Sequence, residues 1–79
     1  MKVIEQLDKV FQRIFLDPDI HVTDTTTTND IEGWDSLTHA TLVVAIEADF
    51  HITFAQREIL KFANVGDMCS TIRMKTGRE

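Results

Sequence analysis

Residues 32–50 read EGWDSLTHATLVVAIEADF. Asp35 carries the oxygen-bearing side chain that suits a helix N-cap, and the apolar residues after it recur at helical spacing, so a helix is expected over about 35–50. On a helical wheel, His39, Leu42, Val43, Ile46 and Phe50 fall on one stripe, long enough to line a core. Leu37, Ala40 and Val44 form a second stripe, with Ser36 and Glu47 beside it. A helix that gives one face to the core is normally polar on the other. The second stripe is either buried in a crowded bundle or used for contact, and so small a chain favours contact.

Ser36 sits on the opening turn of this helix, where three roles compete: a cap-region residue, a catalytic nucleophile or an attachment point. Asp35, Ser36 and His39 are the residue types of a hydrolytic triad. They share one short helical segment, however, and His39 belongs to the core stripe. Nothing here resembles the G-x-S-x-G elbow that presents a nucleophile between strand and helix, and no oxyanion hole is evident. Attachment fits better. A helix N-terminus carries roughly half a positive charge and unpaired N–H groups, so a phosphate esterified to a first-turn serine is electrostatically welcome there.

Upstream, Val3, Ile4, Leu7, Val10, Phe11, Ile14 and Phe15 make one amphipathic stripe, and Asp17-Pro18-Asp19 stops it, giving a first helix over about 2–15. Between Ile20 and Trp34 the threonine run Thr25–Thr28 has no apolar alternation and no second strand to pair with. It reads as a long loop pinned by Ile20, Val22 and Ile31, and loops of this length are usually functional or disordered. Downstream, Thr53 and Gln56 form a capping-box pattern for a short helix over about 54–61. Asn64 opens a last helix over about 64–75, with Val65, Met68, Cys69 and Ile72 on its inner face. The expected fold is all-α: a single domain over residues 1–79, four helices, a long first loop and a short third helix.

A 79-residue chain has little room for both a core and a deep catalytic cleft. The lone Cys69 cannot form an intramolecular disulfide, which fits a reduced setting, and its spacing makes it a core residue. The net charge is −5, and no lysine or arginine occurs between Arg13 and Arg57. That interval holds Asp17, Asp19, Asp24, Asp30, Glu32, Asp35, Glu47 and Asp49. So acidic a middle repels a phosphate backbone, which argues against nucleic acid, and complements a basic protein surface. The three histidines are too dispersed for a metal site; Asp30 and Asp35 read as solvated acids. The opening MKVIEQLDKVFQ lacks the continuous apolar stretch of a signal peptide, and no segment approaches the ~18–20 apolar residues of a membrane span. A cytoplasmic monomer is the expectation.

Asp35-Ser36-Leu37 on the opening turn of the second helix resembles the attachment motif of acyl carrier proteins. The likeness extends through the Leu16-Asp17-Pro18-Asp19 exit, the acidic loop, Leu42-Val43-x-Ala45-x-Glu47, Phe50-x-Ile52 and Asn64-Val65-Gly66-Asp67-Met68. It implies a carrier, not an enzyme: a phosphopantetheinyl transferase would move 4′-phosphopantetheine from coenzyme A onto Ser36, and the arm's thiol would hold acyl groups as thioesters. By the same resemblance, Asp35 and Leu37 flank the attachment site, and Trp34, Asp35, Leu37, Ala40, Val44 and Glu47 form the face that meets partner enzymes. Those partners would be acyl-loading ligases or synthases with basic docking surfaces. Leu42, Ile46, Phe50, Phe54, Ile59 and Phe62 would line an interior that shelters the acyl chain. Thr38, Thr41 and Ala48 stand where carriers of primary fatty-acid synthesis tend to place acids, and Trp34 where they tend to place a smaller residue. These departures suggest a specialised fatty-acid, polyketide or lipid-modifying pathway. The alternative is an unmodified acidic helical adaptor in which Ser36 belongs only to the cap.

Overall fold

The protein is described by a computed structural model covering residues 2–79. Helix α1 spans Val3–Ile14, α2 Ser36–Phe50, α3 Gln56–Leu60 and α4 Val65–Thr76, with a short 3-10 turn at Thr28–Asp30 in the first loop. No strand occurs among the described residues, as the sequence led one to expect. Helix α1 packs against α2 and α4. Val3, Leu7, Val10 and Phe11 of α1 meet Leu42, Val43, Ile46 and Phe50 of α2 and Val65, Met68, Cys69 and Ile72 of α4 in one core. Burial of Cys69 pushes its thiol up to about 11, so it is a packing residue rather than a nucleophile.

The first helix ends sooner than its proline predicts. Leu16 adopts a left-handed conformation (φ 52°), and the Asp17 N–H donates to the Gln12 carbonyl at 3.0 Å. This is the six-to-one closure of a Schellman motif, made without the usual glycine. His51 closes α2 the same way, with φ 58° and the Ile52 N–H on the Glu47 carbonyl at 3.1 Å.

The long loop is tied to α1 at its first end. Asp8 of α1 accepts the Val22 N–H at 2.6 Å, and Gln12 donates to the Ile20 carbonyl at 2.8 Å. Val22 and Ile31 are buried, as their apolar character requires. The N-terminus of α4 holds the middle: the Val65 and Gly66 N–H groups donate to the carbonyls of Thr26 and Asp24, at 2.8 and 2.9 Å. A Cβ on Gly66 would lie 2.6 Å from the Asp24 carbonyl oxygen, so only glycine admits this approach.

Helix α3 corrects the expected capping pattern. Thr53 does not cap it. The N-cap is Ala55, whose N–H donates to the Glu58 carboxylate at 2.7 Å. One residue earlier, the Phe54 N–H is taken by Glu47 of α2 at 2.8 Å, and the Phe54 ring is buried. That anchor holds residue 54 to α2 and delays the helix to Gln56.

Candidate functional site

Helix α2 opens as its sequence dictates. Asp35 is the N-cap, and its Oδ1 accepts the Leu37 and Thr38 N–H groups, each at 3.0 Å. Thr38 returns the favour: its hydroxyl oxygen accepts the Asp35 N–H at 2.8 Å, and the same hydroxyl donates to the Gly33 carbonyl at 2.7 Å. Hydrogen bonds from backbone N–H groups, that of Thr38 foremost and that of Leu37 with it, hold the Asp35 carboxyl below its ordinary range. Thr38 therefore does the work usually given to glutamate or glutamine in a capping box. The sequence reading missed this because threonine at that position also looks like a lost surface acid.

Between these two residues lies Ser36, the first residue of α2, exposed and with no hydrogen-bond partner for its hydroxyl among the described residues. Its oxygen is neither a cap nor part of a polar network. The expected phosphate-friendly N–H groups are another matter, since Asp35 already accepts from Leu37 and Thr38.

Beyond Ser36 the second apolar stripe faces outward. Leu37 is 78% exposed and Val44 64%, and Ala40 between them is exposed as well. These three lie one turn apart on the helix that starts at Ser36, so they form one continuous surface with it. Trp34 does not join them. It is 7% exposed and packs inward against Phe11 (ring centroids 5.1 Å apart, edge-on) and Phe15 (6.3 Å). Its expected place on the contact face is therefore corrected: two aromatic rings of α1 draw the indole into the core. Glu47 is half buried, and one carboxylate oxygen is committed to the Phe54 N–H. It lies at the edge of the exposed face while serving as a tie between α2 and the chain before α3.

The triad reading fails on geometry. Trp34 Nε1–H donates to His39 Nδ1 at 3.0 Å, and the two rings lie within 21° of parallel with centroids 6.0 Å apart. An indole N–H can only donate, so His39 Nδ1 is an acceptor and the ring proton sits on Nε2. Burial lowers the pKa of His39 from its ordinary value. Asp35 is occupied with its cap and has no bond to His39 among those found.

A phosphopantetheine attachment-site model matches residues 4–72. The chain belongs to the phosphopantetheine attachment-site family. Among solved structures it is similar to the holo acyl carrier protein from Geobacter metallireducens, with 38% identity over 98% of this chain and 88% of that one, and a TM-score of 0.91. No curated protein matches it. The resemblance to acyl carrier proteins read from Asp35-Ser36-Leu37 thus holds at the level of family and of the four-helix fold. The prosthetic group of the family is 4′-phosphopantetheine, and the family role is that of a carrier rather than an enzyme.

The residues present fit that group. Ser36 offers a free hydroxyl at the rim of an open groove of about 450 Å³ lined by Thr28, Trp34, Asp35, Ser36, His39 and Phe62. The interior residues expected of an attachment-site family member also come together. Leu42, Ile46, Phe50 and Phe54 are buried, Ile59 and Phe62 partly so, and the Phe54 and Phe62 rings meet edge-on at 5.3 Å. No group of three or more His, Cys, Asp or Glu side chains able to hold a metal ion occurs among the described residues. No helix among them is long and apolar enough to cross a membrane.

Proposed function

We propose that Ser36 receives 4′-phosphopantetheine and that the chain carries acyl groups as thioesters, presenting them to the enzymes of a specialised fatty-acid, polyketide or lipid-modifying pathway. The observation that carries this reading is the exposed, unpartnered Ser36 hydroxyl, fixed by the Asp35–Thr38 cap at the start of an apolar outer face. Ser36 Oγ forms the new bond to phosphorus as coenzyme A loses its adenosine bisphosphate, and the hydroxyl proton passes to a phosphopantetheinyl transferase. The arm supplies the thiol on which acyl groups are held.

This chain's own residues supply presentation. Leu37, Ala40 and Val44 give the partner apolar contact close to the attachment point, and Asp35, Glu47 and the acidic loop draw in a basic surface. The specialised assignment rests on Thr38 and Thr41. Thr38 is spent on the cap, and the Thr41 hydroxyl donates back to the Leu37 carbonyl at 3.2 Å, so neither adds charge to the face. Leu42, Ile46, Phe50, Phe54, Ile59 and Phe62 are the residues between which an acyl chain would shelter. The reading places the domain in the cytoplasm, where coenzyme A and the transferase meet it.

Coexpression with a phosphopantetheinyl transferase, followed by intact mass measurement, tests the assignment. The wild type gains the mass of one 4′-phosphopantetheine, and Ser36→Ala gains none while keeping its helical spectrum. A modified Ser36→Ala protein overturns it.

A further inference from the structure

The groove beside Ser36 holds a hydrogen-bond donor whose orientation is already decided. His39 lies one turn after Ser36, and residues three apart on a helix have Cβ atoms about 5–6 Å from each other, on the same side. Both line the groove. Because Trp34 Nε1–H occupies His39 Nδ1 at 3.0 Å, the imidazole proton is confined to Nε2, on the far side of the ring from the indole. No partner for Nε2 occurs among the described residues. The indole is in turn fixed by Phe11 and Phe15 of α1. The core therefore sets both the orientation of the imidazole, through the indole hydrogen bond, and its tautomer.

The opening turn also needs such a donor. Its Leu37 and Thr38 N–H groups are consumed by Asp35, whose carboxylate adds a negative charge next to the attachment point. A phosphodiester on Ser36 thus finds little help from the helix start. On the assignment of Ser36 as the attachment residue, we infer that His39 is a second prosthetic-group contact, its Nε2–H donating to a non-bridging oxygen of the phosphodiester, and that Trp34 is the positioning residue that locks the tautomer. The arm then leaves Ser36 along the groove bounded by His39, Phe62 and Thr28 rather than straight into solvent. The contact is a charge-assisted hydrogen bond from a neutral ring to an anionic acceptor.

Nuclear magnetic resonance of the ¹⁵N-histidine-labelled protein, before and after loading, tests this. Loading should slow exchange of the His39 Nε2 proton with water by roughly tenfold or more, the factor a hydrogen bond to a charged group contributes. In the loaded protein, His39→Ala should move the ³¹P resonance of the phosphodiester, and His39→Gln, which keeps a donor at nearly the same reach, should bring it back toward the wild-type position. Trp34→Phe should keep the ring packing but give a mixture of Nδ1–H and Nε2–H tautomers, with the ³¹P resonance displaced in part. Should either variant fail to fold, the apo-to-holo change at His39 Nε2 of the wild type decides alone. An Nε2 proton unaltered by loading, or a ³¹P resonance indifferent to His39, overturns the contact. An intact mass that never shows the loaded form overturns instead the assignment of Ser36.

Discussion

Ser36 is useful because it does nothing in the fold. The two residues around it carry the structural duties: Asp35 caps α2, and Thr38 closes the cap through its hydroxyl. Its neighbour His39 is bound into the core by Trp34, and burial lowers its pKa. Here the sign matters. A histidine depressed in the folded state leaves the unfolded chain binding more protons, so its stabilisation is full above the ordinary value of 6.5 and is lost as pH falls through the lower, folded value. Thermal melts of the wild type should therefore drop more steeply from pH 7.5 to 5.5 than those of His39→Gln, which cannot titrate. Parallel curves for the two proteins would show that protonation of His39 costs the fold nothing.

At the scale of elements, the junctions carry most of the specificity. Helix α4 begins by donating two backbone N–H groups to the first loop, and Gly66 makes the approach close enough. Gly66→Ala should destabilise the domain by about 1–3 kcal/mol, the usual cost of overpacking a tight contact, because the atom it strikes is backbone and cannot swing away. Chemical denaturation gives the number, and a neutral result would mean that the loop yields freely. His51 presents the opposite case, a non-glycine residue in the left-handed region at the end of α2. His51→Gly should relieve about 1 kcal/mol and raise Tm, since left-handed backbone costs most side chains about that much. Much of this layer was legible in the sequence. The apolar stripes of α1, α2 and α4, the Asp35 and Asn64 caps and the loop anchors Val22 and Ile31 all follow from spacing and residue type. The end of α1, the turn that closes α2 and the start of α3 were not. Leu16 and His51 close helices in a conformation normally left to glycine, and the start of α3 is set by the Glu47 tie to Phe54, a contact between segments that local pattern cannot reveal. Trp34 was misplaced for the same reason: Phe11 and Phe15, distant in sequence, draw it inside.

For the molecule as a whole, the division of labour is between an inner and an outer face of α2. The inner face, with α1 and α4, makes the core; the outer face, bearing Leu37, Ala40 and Val44, is free. The exposure of the second apolar stripe was readable because so small a core could not absorb it. Toward α3 the packing is lighter, with Ile59 and Phe62 only partly buried, and the proposed carrier role would have an acyl chain enter there. Each sheltered methylene gains about 0.8 kcal/mol of transfer free energy, so six gain roughly 5 kcal/mol before the cost of parting the helices. A medium-chain acyl form should melt above the holo form, and amides of α2 and α3 should be the ones protected. Equal melting temperatures would place the chain outside the bundle. All of this depends on Ser36 being the residue modified, and the chain lends itself to a direct check. Its only serines are Ser36 and Ser70, and trypsin separates them, since no lysine or arginine lies between Arg13 and Arg57 while Ser70 falls between Lys61 and Arg73. Tryptic mass mapping of the transferase-treated protein should place one 4′-phosphopantetheine on residues 14–57, with fragmentation locating it on Ser36; the group on residues 62–73, or on neither peptide, would contradict the account.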